Sequence, residues 1–181
     1  MILPFAIDPL PAWIAAAWIA TLFAHAALAK FADLALFEQH LSAYRVPDAY
    51  SSIAARSIPA LELGAAVLLL SPWRSAGAGL AAALLLGYGA LMAWHRRQGH
   101  ELDCGCGGEA LPVSWALVLR NALLAVVALV PAAALSERGM GPADFAVVAA
   151  AVPLAVLLFA ALNQILRHQA GMRMRHAHQE S

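Results

Sequence analysis

Charge is what this chain has least of. Only 12% of its 181 residues are Asp, Glu, Lys or Arg, whereas 62% are hydrophobic, and the mean hydropathy is +0.72. A soluble domain is about a quarter charged and about half apolar. So few charges cannot coat a globule in water, and most of the surface is expected to face lipid. The formal net charge is zero, which excludes a strong electrostatic pull on nucleic acid. Cysteine is scarce as well. Two are too few for a disulfide scaffold or a four-thiolate zinc site. They leave one disulfide, a redox pair or half of a metal site. Residues 1–11 contain no Lys or Arg, so the positive start of a cleaved signal peptide is missing. The run after Pro11 is therefore read as a retained helix. No internal repeat is visible.

What is present is a series of long apolar runs separated by Pro, Gly and charge. They predict an all-α, polytopic membrane bundle, with residues 1–166 as one transmembrane domain and 167–181 as a polar, basic tail. The expected spans are about 12–32, 51–71, 76–95, 113–135 and 143–166. Trp13 and Trp18 fit an interfacial belt at the start of the first span. After Lys30, the apolar residues Leu34, Phe37, Leu41 and Tyr44 recur at helical spacing among polar ones. They predict a helix at the membrane surface, or an extension of the first span, ended by Pro47. The stretch Ile58–Leu70 rises only about 20 Å, short of a ~30 Å hydrocarbon core. Beginning near Ser51, with Arg56 snorkelling, makes it long enough. The third run carries Gly77, Gly79, Gly87 and Gly89, small residues that let helices approach closely in lipid. Pro112 suits the first turn of the fourth helix, and Pro131 is expected to kink its end.

Five spans put Lys30, Arg45, Arg56, Arg96, Arg97, Arg167, Arg173 and Arg175 on one side, against Arg74 and Arg138 on the other. The positive-inside rule then places the loop between the third and fourth spans in the cytoplasm.

That loop holds Leu102-Asp103-Cys104-Gly105-Cys106-Gly107-Gly108. Residues two apart easily meet the Cα separation of a disulfide. The ring so closed is small and strained, and strained, exposed disulfides are labile rather than structural. Such a bridge also closes almost no loop, so it would add little stability. Gly105 gives the backbone the freedom the ring needs. The coming helix N-terminus, Arg96, Arg97 and Arg120 supply positive potential that favours thiolate. Two inert thiols are the plain alternative. A metal site from His95, His100, Asp103, Cys104 and Cys106 is another, although it matches no standard zinc spacing. His25, Lys30, Glu62 and Arg120 are ionisable groups inside apolar runs, where such groups face a bundle interior or a partner. A Glu62–Arg120 ion pair is expected, His25 is expected to be a core residue, and Asn121 and Asn163 are expected to bond between helices.

Leu102 to Gly108, then Pro112-Val113-Ser114-Trp115, then Arg120-Asn121, resembles the MauE family of methylamine utilisation proteins and the wider MauE/DoxX group of redox-associated membrane proteins. Lys30 after the first span and Pro59-x-x-Glu62 fit the same pattern. Where the family has Phe after the second cysteine, this chain has Gly107. The resemblance implies a DoxX-like four-helix core, here with a fifth C-terminal transmembrane helix, in a bacterial inner membrane. It also implies a role in processing, export or disulfide formation of the methylamine dehydrogenase small subunit. The partners would be a thioredoxin-like periplasmic protein and that subunit as client. Cys104 and Cys106 would form the redox pair, with Arg120 stabilising thiolate and Glu62 as a further catalytic candidate. The alternatives are a non-catalytic assembly factor, a thiol oxidase coupled to a quinone as cofactor, and a metal or solute carrier. A periplasmic client sits uneasily with a cytoplasmic cysteine loop, unless electrons pass across the membrane.

Overall fold

The computed structural model describes residues 6–98 and 113–179, with side chains only as far as His168. The described residues form helices and no strand: α1 (Pro9–Ala32), α2 (Leu34–Ala43), α3 (Asp48–Leu69), α4 (Arg74–Arg97), α5 (Trp115–Leu129) and α6 (Pro142–Gln179). Five helical stretches are long and apolar enough to cross a membrane; the fourth is α5 together with a 3-10 turn, Val130–Ala132. The protein is thus an all-α, multi-pass membrane bundle.

Helix α1 starts at Asp8, whose carboxylate accepts from the Leu10 N–H at 2.8 Å, with Pro9 and Pro11 in the first turn. Both features suit a helix start, because a side-chain oxygen meets an orphan N–H and Pro lacks one. At Asp33 the backbone leaves the helical region (φ −141°, ψ 77°), and its carboxylate accepts from the Leu36 N–H at 2.9 Å. One Asp therefore ends α1 and caps α2, which makes α2 a separate helix rather than an extension. Phe37 and Leu41, one turn apart, bury themselves with Ala55 of α3. The end of α2 comes before Pro47. Arg45 takes a left-handed conformation (φ 61°), while Arg45 N–H donates to the Ser42 carbonyl and Val46 N–H to the Leu41 carbonyl. That paired closure ends a helix by satisfying its last carbonyls. Pro47 instead stands before the first residue of α3.

Helices α1, α3, α4 and α5 form a ring in which each packs on the next and α5 returns to α1. Their common core is rich in alanine: Ala20 on α1, Ala65 and Ala66 on α3, Ala78, Ala81 and Ala82 on α4, Ala125 and Ala128 on α5, closed by Ile19, Phe23, Leu69, Leu85 and Leu124. Small side chains let the backbones approach and gain dispersion contact that lipid cannot supply. Helix α6 packs on α1, outside the ring. It continues as helix to Gln179, so the basic tail is helical backbone over most of its length. Trp18 does not join an interfacial belt. It lies nine residues into α1, about 14 Å along the axis, and packs against the ring core.

The end of the bundle opposite α2 is closed by polar contacts. Ile7 pairs with the stretch before α6, its N–H donating to the Ala134 carbonyl at 2.9 Å and its carbonyl accepting from Ser136 at 2.8 Å. Arg138 grips both oxygens of Asp8 at 2.8 and 2.9 Å and both of Asp144 at 3.0 Å. Arg74 Nε donates to the Pro131 carbonyl at 3.2 Å. Hydrogen bonds from Arg138, then from the Leu10 N–H, hold the Asp8 carboxyl below the usual carboxylate range. A depressed carboxyl stabilises the folded clasp above its unfolded pKa, and that help is lost as pH falls through the folded value. Acid, high salt and Arg138→Gln are therefore all expected to lower the protection factors of the Ile7 and Ser136 amides, each referred to the intrinsic exchange rate at the same pH, while leaving the ring core protected. Hydrogen exchange read by mass spectrometry checks this, since exposed ion pairs are screened by salt.

Candidate functional site

Within the ring, the ionisable groups gather around Glu62. This residue lies on the α3 face that looks inward, and only 1% of it is exposed. Lys30, near the end of α1, is 6% exposed and donates to both carboxylate oxygens, at 2.8 and 2.9 Å. Tyr88 of α4 donates its hydroxyl to Glu62 Oε1 at 2.7 Å. The Lys30 ammonium also stands 5.5 Å from the Phe37 ring centre and 5.9 Å from that of Tyr88. A buried carboxylate is tolerated only when paired and hydrogen-bonded. Here α1 brings a cation, α4 a hydroxyl and α2 an aromatic face to that cation, so the Lys30–Glu62 pair ties four helices together.

The expected Glu62–Arg120 pair is not formed; Glu62 is taken by Lys30 and Tyr88. The reason lies in the ring order. Helix α3 packs on α1, α2 and α4, while α5 packs on α4 and α1, so Glu62 and Arg120 sit on diagonal helices. Arg120 turns toward α6 instead. Its Nη1 donates to Asn163 Oδ1 at 2.6 Å, and its guanidinium lies 5.3 Å from the Phe159 ring centre. Asn163 thus bonds between helices as expected. Asn121 donates within α5, to the Leu117 carbonyl at 3.0 Å, and reaches α4 through Met92 Sδ at 3.8 Å. His25 is not a core residue: it is exposed, because two residues from the buried Phe23 and Ala27 is the far side of a 100°-per-residue helix.

A cavity of about 650 Å³ lies beside these groups, lined from all six helices, among them by Lys30, Glu62, Tyr88, Arg120 and Asn163. Cys104 and Cys106 lie outside the described residues, as do His100 and Asp103. The points where the chain leaves and re-enters the described structure are close together: the Arg97 guanidinium stands 5.9 Å from the Trp115 ring centre. Nearby, His95 is buried and meets the Tyr44 ring edge-on, with ring centres 5.0 Å apart. Among the described residues no three His, Cys, Asp or Glu gather as a metal site.

Tyr88 and Phe159 escaped the reading of the sequence. The signal for the Lys30–Glu62 pair was there, since two opposite charges in successive apolar runs ought to meet in lipid. Nothing in the sequence marks Tyr88, whose neutral side chain stands between two glycines of the α4 run.

A ring of four membrane helices, latched by a buried ammonium–carboxylate–phenol cluster and flanked by a fifth span, defines a polytopic membrane protein with a polar site inside its helical core. The chain belongs to the family of methylamine utilisation protein MauE, whose match covers residues 8–134. Those bounds take in the ring and stop before α6. Two relatives carry the name methylamine utilization protein MauE. The one from Paracoccus denitrificans is 39% identical over 130 residues, 69% of this chain and 70% of the relative. The one from Paracoccus versutus is 37% identical over 145 residues, 77% of this chain and 78% of the relative. No solved structure is a significant match.

Proposed function

We propose that this protein serves methylamine utilisation from the bacterial inner membrane, as a thiol–disulfide relay that helps mature the methylamine dehydrogenase small subunit. The observation that carries the pathway is kinship with the two relatives of that name. The chemistry rests on Cys104-Gly105-Cys106, a spacing that favours a labile bond. A thiolate from a thioredoxin-like partner or from the client attacks one sulfur of this bond. A mixed disulfide forms, and a second thiolate resolves it, so two electrons pass and each new thiolate takes up a proton. Arg120 and the start of α5 are the positive groups proposed to favour thiolate on that side. Glu62, held by Lys30 and Tyr88, keeps the ring in register.

The test replaces each cysteine singly and both together in cells that grow on methylamine. Cys104→Ser and Cys106→Ser are each expected to stop dehydrogenase maturation. One of them should leave the client or the thioredoxin-like partner trapped as a mixed disulfide on a non-reducing gel. Full maturation with both serines in place would refute the relay and leave a docking role. An impermeant thiol reagent applied to intact cells reads which face of the membrane the pair occupies.

A further inference from the structure

We infer that the cavity between the ring and α6 binds a membrane-dissolved amphiphile, one with a hydrocarbon tail and a compact head that carries hydrogen-bond-accepting oxygens. At about 650 Å³ it lies within the range of small-molecule pockets. Its lining is graded along the bundle axis. A Cβ built on Gly89 would stand 3.5 Å from the Asn121 Cβ, which sets Tyr88 of α4 level with Arg120 and Asn121 of α5. Asn163 joins that level through its bond to Arg120. One turn deeper on each helix the lining becomes Leu85 and Leu124, and two turns deeper on α6 it becomes Val156.

The polar level is rich in donors. Lys30 and Arg120 carry N–H groups and no acceptor, and Asn163, whose Oδ1 accepts from Arg120, adds an amide NH2. The carboxylates that line the cavity are engaged within the protein, Glu62 by Lys30 and Tyr88 and Asp33 by the Leu36 N–H, so neither demands a cationic ligand. An oxygen-rich head at this level, with its tail running toward Leu85, Leu124 and Val156, matches both ends of the cavity.

The way in is from lipid. Helix α6 forms one wall, packs on α1, and reaches α5 through Asn163 and Phe159. Its other face, with Leu154, Leu157 and Leu158, is exposed along an apolar span. Shifting side chains on this wall opens the cavity sideways to the bilayer without disturbing the ring. The family match ends before α6, so this wall belongs to the part of the chain beyond the matched region. The inference stands whether or not the cysteines exchange, because it concerns binding alone.

A long-chain carboxylate and a prenylated benzoquinone share this chemistry, and photoaffinity labelling of the full-length protein in lipid nanodiscs separates them. The probes are a diazirine-bearing hexadecanoic acid and an azido-benzoquinone with a prenyl tail. One of them is expected to label residues that line the cavity on α5 or α6, and excess unlabelled parent should compete. Ala160→Trp, which fills the cavity from its α6 wall, is expected to cut that labelling roughly tenfold, a loss of about 1.4 kcal/mol in binding. Leu154→Phe, on the lipid-facing side, should leave it unchanged. If Ala160→Trp fails to fold, as judged by size-exclusion chromatography, Asn163→Leu takes its place. It strips the polar head position and is expected to weaken labelling to a similar degree. Labelling confined to outward positions such as Leu154 and Leu158 would mean annular lipid only and would overturn the proposal. So would labelling indifferent to the cavity variants, or no labelling by either probe.

Discussion

Replacing Glu62 with Leu is expected to destabilise the protein as much as any single change at the ring's polar core. The carboxylate takes both a bidentate ammonium and a phenol, and its removal strands the Lys30 charge among apolar neighbours. Breaking a buried ion pair from one side costs about 3–5 kcal/mol, because the remaining charge keeps its desolvation penalty without its partner. Lys30→Met should cost a similar amount by stranding the carboxylate. The two changes together should cost much less than their sum, since an apolar pair of comparable volume restores a neutral core. Tyr88→Phe removes one hydrogen bond to a charged group, worth about 1.5–3 kcal/mol in soluble proteins and about 0.6 on average between membrane helices. It should therefore be the mildest of the set. Unfolding in mixed micelles, followed by the five tryptophans, measures all four variants. Additive losses from the Lys30 and Glu62 changes would show that the pair does not act as a unit and does not latch the ring.

The same residues show what could be read ahead of the structure. Five apolar spans were legible because lipid leaves helix as the way to satisfy a backbone, and length and composition then suffice. Depth was legible too, since residues count off at about 1.5 Å each; that is why Glu62 and Arg120 were recognised as intramembrane charges. Order around the ring was not. Which helices are neighbours and which diagonal depends on packing of small side chains whose pattern barely differs from face to face. Depth alone therefore pairs Glu62 with Arg120 and passes over Lys30. Position on the span also decided Trp18: its residue type suggests an interface, while its distance along α1 puts it against the core. Asp33 is the opposite case. In the sequence it is one polar residue within a helical pattern that runs on, and only the departure of its backbone from helical angles shows that α1 stops there. The reading of Cys104 and Cys106 as a redox pair remains a matter of sequence, because they lie outside the described residues.

Gly77→Ala is expected to cost about 3 kcal/mol, the upper end of what one added carbon does to a packed interface. Four glycines of α4 look alike in sequence, and the structure separates them. A Cβ on Gly77 would stand 2.5 Å from the Leu69 nitrogen, 2.7 Å from the Leu68 carbonyl carbon and 2.9 Å from the Leu68 Cβ. Two of those three atoms are backbone, in the last turn of α3. They cannot move aside as a flexible side-chain tip can. The turn joining α3 to α4 is also tied locally, with Ser71 donating from both its N–H and its hydroxyl to the Leu68 carbonyl at 3.1 and 2.8 Å. Relief therefore requires α4 to shift as a body, which would loosen the contacts that Ala78, Ala81 and Ala82 make with the ring core. Gly79 and Gly87 face open space, with nothing within 4 Å of a built Cβ. There, alanine should be neutral or stabilising by about 0.5–1 kcal/mol, because glycine is the poorer helix former. Gly89 is intermediate: its Cβ would meet Asn121 at 3.5 Å, an ordinary contact, and alanine should be tolerated. Thermal unfolding of the four alanine variants in one detergent ranks them directly. Equal effects at Gly77 and Gly79 would mean that the α3–α4 contact has room for an added carbon at Gly77. A selective loss at Gly77 would show that α3 and α4 meet backbone to backbone where the turn joins them.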